Sequence, residues 1–118
     1  MIRIEDFEGI FLHCEYVDMR KSINGLSILV QNEMNMDPFS KYLFVFCNRK
    51  RTLLKILYWD KTGFALWHKR LEEEKFPWPK HMPQDVVEID QRKLELFLEG
   101  YEFWKLKPHK TLNYETVC

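Results

Sequence analysis

Tyr42-Leu43-Phe44-Val45-Phe46-Cys47-Asn48-Arg49-Lys50-Arg51-Thr52-Leu53-Leu54-Lys55-Ile56-Leu57-Tyr58-Trp59 is the stretch on which the fold turns. Its two apolar runs have the length and the aromatic, branched composition of β-strands, and Asn48 marks the bend between them. Both runs are apolar on both alternating faces, which predicts central strands covered from both sides. Arg49, Lys50 and Arg51 then stand at the tip of a hairpin, a compact positive knob on a stiff stem. Such a knob suits a polyanion, because a two-stranded ribbon fits the major groove of DNA and cations displace counterions from phosphate.

Downstream, Asp60-Lys61-Thr62-Gly63 has Asp at the first position and Gly at the fourth, as type I turns prefer. Phe64 to Leu71 returns as a third strand of an antiparallel meander. Phe64, Leu66, His68 and Arg70 share one of its faces, and Ala65, Trp67, Lys69 and Leu71 the other. A regular register brings Lys69 and Arg70 to the level of the Arg49-Lys50-Arg51 tip, merging two basic clusters into one patch.

Upstream, Gly9 to Cys14 reads as a first short strand. Asp18 is placed to cap a helix through about Met34, with Met19, Ile23, Leu26, Val30 and Met34 on one stripe. Gly25 interrupts that stripe at a cost of about 1 kcal/mol relative to Ala, so close packing against the sheet is expected there. Asn35 suits a left-handed helix end, and Asp37-Pro38 turns the chain away.

Phe76-Pro77-Trp78-Pro79 excludes helix and central strand and is expected to lie extended over apolar surface. Val86 to Ile89 reads as an edge strand. Asp90 is a cap for a short helix carrying Leu94, Phe97, Leu98 and Tyr101, which stops at Gly100. The expected architecture is α+β: a mainly antiparallel sheet of four or five strands, one longer helix packed on it, and a short C-terminal helix. Residues 1–102 form a single domain, and residues 103–118 form an extended or mobile C-terminal tail.

Hydrophobic residues make up 46% of the 118, enough for a sizeable core in one domain. Net charge is zero, yet its distribution is uneven. Residues 48–70 hold seven Lys or Arg against one Asp, while residues 1–47 hold four against seven and residues 71–99 hold four against eight. A basic centre thus lies between acidic flanks, which either leave it open to an anionic partner or fold back and neutralise it.

Arg3, Glu5, Asp6 and Glu8 occupy the first twelve residues, so no signal peptide is expected. Apolar segments fall short of the roughly 20 residues of a membrane span. Three scattered cysteines, Cys14, Cys47 and Cys118, form neither a disulfide framework nor a zinc pattern. Together these features point to a reducing cytoplasm.

Chemistry finds little purchase. Metal-ion catalysis of an in-line displacement requires clustered carboxylates. Asp18 and Asp90 read as caps, Asp37 and Asp60 as turn formers, and Glu72-Glu73-Glu74 as a solvated face. His13, His68, His81 and His109 lack partners at ligand spacing. No catalytic residue, metal or cofactor is therefore assigned.

The order of segments resembles the small accessory protein encoded by insertion sequence 66 elements, the TnpB-labelled product that is distinct from the RNA-guided nucleases of that label. The likeness rests on Val17-Asp18-Met19-Arg20-Lys21-Ser22, Gly25-Leu26, Asp37-Pro38-Phe39 and Leu43 to Arg51. It continues through Lys55 to Asp60, Gly63-Phe64, Leu66 to Glu72, Phe76-Pro77-Trp78-Pro79 and Leu98-Glu99-Gly100. It runs from about residue 3 to residue 101. The resemblance implies a process, DNA transposition beside a separate and larger transposase, and no catalytic activity of the chain itself.

The resulting expectation is a non-enzymatic accessory factor that binds DNA through Arg49, Lys50, Arg51 and Lys55, supported by Lys69 and Arg70. Arg20 and Lys21 add a possible further surface for DNA or a partner. Expected partners are DNA at the element ends and the transposase of the same element; self-association is left open. The alternative is a protein-interaction module that recruits or stabilises the transposase without touching DNA.

Overall fold

A computed structural model describes residues 3–79 and 85–101; the tail at 103–118 lies outside them. A short 3₁₀ turn at Ile4–Asp6 leads into β1 (Gly9–His13), followed by α1 (Ile23–Asn32), β2 (Tyr42–Cys47) and β3 (Leu53–Asp60). Then come β4 (Gly63–Arg70), β5 (Val86–Ile89) and α2 (Gln91–Leu98). The five strands form one sheet in the order β4-β3-β2-β1-β5. β1 runs parallel to β2, and the other three pairings are antiparallel.

The meander has the predicted register. Cys47 faces Leu54 and Leu53 faces Arg70, so the far end of β4 reaches the β2–β3 tip. β2 is central, and Leu43 through Cys47 are all fully buried. Alternation sends Leu43, Val45, Leu54 and Ile56 to one face, where they meet Phe76, Trp78, Leu94 and Phe97. Phe44, Phe46 and Leu57 go to the other and meet Leu26, Leu29, Val30 and Met34. Each such side chain contributes roughly 1.5–3 kcal/mol by leaving water.

Phe76-Pro77-Trp78-Pro79 lies along the first face as expected. Phe76 stacks on Phe97 at 5.9 Å between ring centroids, and the indole N–H of Trp78 donates to the Cys14 carbonyl at 2.8 Å. α2 also starts as its sequence indicates, with Asp90 accepting from the Lys93 N–H at 2.8 Å. Gly100 ends it with φ +103, a conformation an L side chain would strain.

Three local expectations are corrected. α1 begins at Ile23, after Ser22, and Asp18 is not its cap. The Asp18 carboxylate is taken by Arg20, which leaves Met19 in the preceding turn. Gly25 is crowded by Lys21, whose Cβ would stand 3.1 Å from an added methyl, and not by the sheet. The β3–β4 turn is not type I: Asp60 pairs with Gly63 across a two-residue loop, and Lys61, its first residue, has φ +48 where type I needs a negative φ. At the other end of α1, Asn35 adopts the left-handed conformation (φ +55), and the Met36 N–H reaches the Val30 carbonyl at 3.1 Å.

Candidate nucleic-acid interface

Asn48 organises the tip between β2 and β3. Its Oδ1 accepts from the Thr52 N–H at 2.9 Å and the Leu53 N–H at 3.0 Å, and its own carbonyl accepts from the Arg51 N–H at 3.0 Å. A side chain satisfying two backbone donors holds a loop in one shape. Two further bonds brace the tip from the segment after β4: Leu71 N–H to the Thr52 carbonyl and Phe76 N–H to the Arg51 carbonyl, both 2.7 Å.

On this frame Arg49 and Lys50 are exposed and Arg51 is half-buried. Arg51 has φ +60. A non-glycine residue in that region is held at roughly 1 kcal/mol above its relaxed state. Among the described residues, Arg3, Arg20 and Arg70 each form an ion pair with a carboxylate. Arg49, Lys50 and Arg51 form none among these residues, although the acidic flanks reach the neighbourhood of the tip and pair there with Arg20 through Asp18 and with Arg70 through Glu72.

The other candidate cations divide. Lys69 and Arg70 arrive at the level of the tip but on opposite faces of the sheet, since they are adjacent on β4. Arg70 Nε is held by Glu72 at 2.9 Å, whereas Lys69 is exposed. Lys55 is half-buried, and its ammonium donates to the carbonyls of Met19 at 3.0 Å and Lys21 at 3.2 Å. It ties the turn before α1 to β3.

That tie carries Arg20 into the neighbourhood of the tip. Asp18 grips the Arg20 guanidinium with 3.0 Å to Nε and 2.6 Å to Nη2, and takes the Arg20 N–H at 2.9 Å. These bonds hold the Asp18 carboxyl down at about 2. Asp18, Arg20, Arg49 and Lys50 line one concavity of about 640 Å³, whose remaining wall includes Tyr16, Val17 and Met19. Val17 is fastened to the root of the tip by its N–H on the Cys47 carbonyl at 2.9 Å. Sequence reading overlooked Tyr16 as part of a site and took Asp18 for a cap; the i,i+2 spacing of Asp18 and Arg20 was the available signal.

Elsewhere, burial pushes the thiols of Cys14 and Cys47 up to about 11 and about 12, so both stay protonated near neutrality. Among the described residues no group of three or more His, Cys, Asp or Glu is arranged to hold a metal ion. No helix among them is long and apolar enough to cross a membrane.

Residues 8–108 match the family described as IS66 Orf2 like protein. The chain belongs to that family. It is an IS66 Orf2-like transposon accessory protein, and the family is generally not assigned a catalytic activity. The match continues to residue 108, beyond Tyr101, where the resemblance legible in the motifs ends. Two relatives come from Sinorhizobium fredii (strain NBRC 101917 / NGR234). "Uncharacterized protein y4hO" is 32% identical over 88 residues, covering 75% of this chain and 76% of its own. "Uncharacterized protein y4jC" is 31% identical over 91 residues, covering 77% of each. No solved structure matches the chain.

Proposed function

We propose that this IS66 Orf2-like protein assists transposition by binding DNA through the β2–β3 tip. Arg49, Lys50 and Arg51 make the principal phosphate contacts and Lys69 supports them. The observation that carries the reading is the contrast in pairing: among the described residues Arg49, Lys50 and Arg51 have no carboxylate partner, while nearby Arg20 and Arg70 are neutralised. Lys55 acts by holding the 19–21 turn, because its ammonium is already engaged by two carbonyls. Phosphate contacts fix position and carry little sequence information. With four cations engaged, log affinity should fall against log salt with a slope of roughly −3 to −4.

Fluorescence anisotropy with element-end duplex and a scrambled duplex, at two salt concentrations, tests this. Arg49→Ala/Lys50→Ala/Arg51→Ala should remove most of the binding and most of the slope. Salt-independent or absent binding by the unaltered chain would sink the proposal.

A second reading, docking of the transposase without DNA contact, draws on a different region. Phe39 is 57% exposed and sits edge-on to Trp59, with 5.0 Å between centroids, at the end of the sheet away from the tip. Phe64 completes the cluster at 5.1 Å from both rings. Exposed aromatics of this kind are typical anchors at protein interfaces. Retention of transposase binding by the triple variant, and its loss in Phe39→Ser, would favour that role for the aromatic end.

A further inference from the structure

We infer that the concavity between the tip and the 16–20 segment receives a single DNA strand, with a base against Tyr16 and Arg20 and its phosphates on Arg49 and Lys50. The inference rests on the DNA-binding reading above and names the form of DNA that this part of the site takes.

Shape comes first. The tip alone is convex and can meet the backbone of a duplex, but the concavity beside it has two walls. A duplex keeps its bases paired and stacked and can offer this surface only phosphates, whereas one or two unpaired nucleotides can lay both base and phosphate into an open depression of about 640 Å³.

Both walls are fixed to the same hairpin. The Val17 N–H is bonded to Cys47 at the root of β2, and the Met19 and Lys21 carbonyls are bonded to Lys55 in β3. The spacing between walls is therefore set by the sheet, and binding need not first order a loop.

Chemistry assigns the walls different tasks. Arg49 and Lys50 supply cations that pair with no carboxylate among the described residues, suited to phosphate. In the same concavity Tyr16 offers a partly buried aromatic side chain that also packs against the core. Beside it, the Arg20 guanidinium is locked flat against Asp18 through Nε and Nη2, although its side chain is 91% exposed. An exposed pair two residues apart adds little to stability. What it does provide is an oriented plane with Nη1 unengaged among the described residues, and guanidinium planes and aromatic rings are the surfaces on which unpaired bases stack. Asp18 would repel phosphate if bare; gripping Arg20 cancels its charge on that wall.

The test uses the full chain with a fluorescein-labelled 12-nucleotide strand of mixed sequence and the duplex formed with its complement, compared by anisotropy at each of two salt concentrations. The strand should bind more tightly than the duplex. Arg20→Lys keeps the charge and loses the plane, and Tyr16→Leu keeps the buried bulk and loses the ring. Each should weaken strand binding about fivefold or more beyond any loss on the duplex. Lys50→Ala should weaken both forms. Circular dichroism melts of all variants verify folding, and Arg20→Lys, altered only at the surface, decides the matter if Tyr16→Leu misfolds. Duplex binding as tight as strand binding, or equal losses on both forms in Arg20→Lys, overturns the inference and leaves duplex binding by the tip standing. Absence of salt-dependent binding to either form overturns both.

Discussion

The Lys55 ammonium donates to the Met19 carbonyl oxygen at 3.0 Å, joining residues 36 positions apart. With its second bond to Lys21, it fixes the turn before α1 against the sheet and carries Arg20 toward the tip. Lys55→Met preserves the apolar stem and removes both bonds. A loss of about 1–2 kcal/mol in urea unfolding is expected, since charge-assisted bonds at a half-buried site exceed a neutral one. The salt slope for duplex DNA should stay within a few tenths of the unaltered chain's; a drop of about 0.9 would show that Lys55 itself meets a phosphate.

Asn48 should prove more valuable to stability than any cation beside it. Asn48→Ala leaves the Thr52 and Leu53 N–H groups without their acceptor. The expected loss is about 1–3 kcal/mol, read as a lower denaturation midpoint with unchanged slope. Arg49→Ala and Lys50→Ala should each stay within about 0.5 kcal/mol.

Arg51 allows backbone and charge to be separated. Arg51→Gly relieves the left-handed strain but loosens the unfolded chain by a comparable amount, so the melting temperature should hardly change. DNA affinity should fall, with the salt slope shallower by about 0.9. Arg51→Val, branched at a position with φ +60, should be clearly destabilised.

Much of this layout was legible in the sequence, for identifiable reasons. The meander register followed from the short turns at Asn48–Thr52 and Asp60–Gly63 that join three strands of similar length, and α2 from a capping Asp90 and a terminating Gly100. The parallel pairing of β1 with β2 was not legible, because a short apolar strand carries no mark of its direction. Nor was the start of α1: an Asp before an apolar stripe has the same appearance whether its carboxylate caps backbone N–H groups or grips an arginine two residues on. The basic tip could be read directly, whereas the concavity beside it depends on bonds from Val17 to Cys47 and from Lys55 to Met19 that no local pattern announces.

The Asp18–Arg20 grip predicts an acid titration. The hydrogen bonds from Arg20 favour the ionised carboxylate, so its midpoint lies at about 2, below the ordinary 3.8. Whatever stability the grip adds is fully present above 3.8 and is lost as pH falls through about 2. Carbon-detected NMR should find that low midpoint in the native chain, and Arg20→Gln should return it toward the ordinary carboxylate value.

Buried thiols should be slow to react. With Cys14 raised to about 11 and Cys47 to about 12, almost no thiolate exists at pH 8. In a Cys118→Ser chain, a thiol-disulfide reagent at pH 8 should label neither cysteine until urea unfolds the protein. Rapid labelling under native conditions would contradict the packing described for the ends of β1 and β2.

Because β1 lies parallel to β2, the first strand of the chain cannot pair with the next by a simple reversal. The β2–β3–β4 ribbon closes through short local turns, while β1 must await the whole of residues 14–41 and then offers its other edge to β5. Assembly should therefore start in the middle of the chain and finish at its beginning, with the basic tip shaped before the sheet is complete. Pulse-labelled amide exchange during refolding would register this as protection in β2–β4 that precedes protection in β1 and β5.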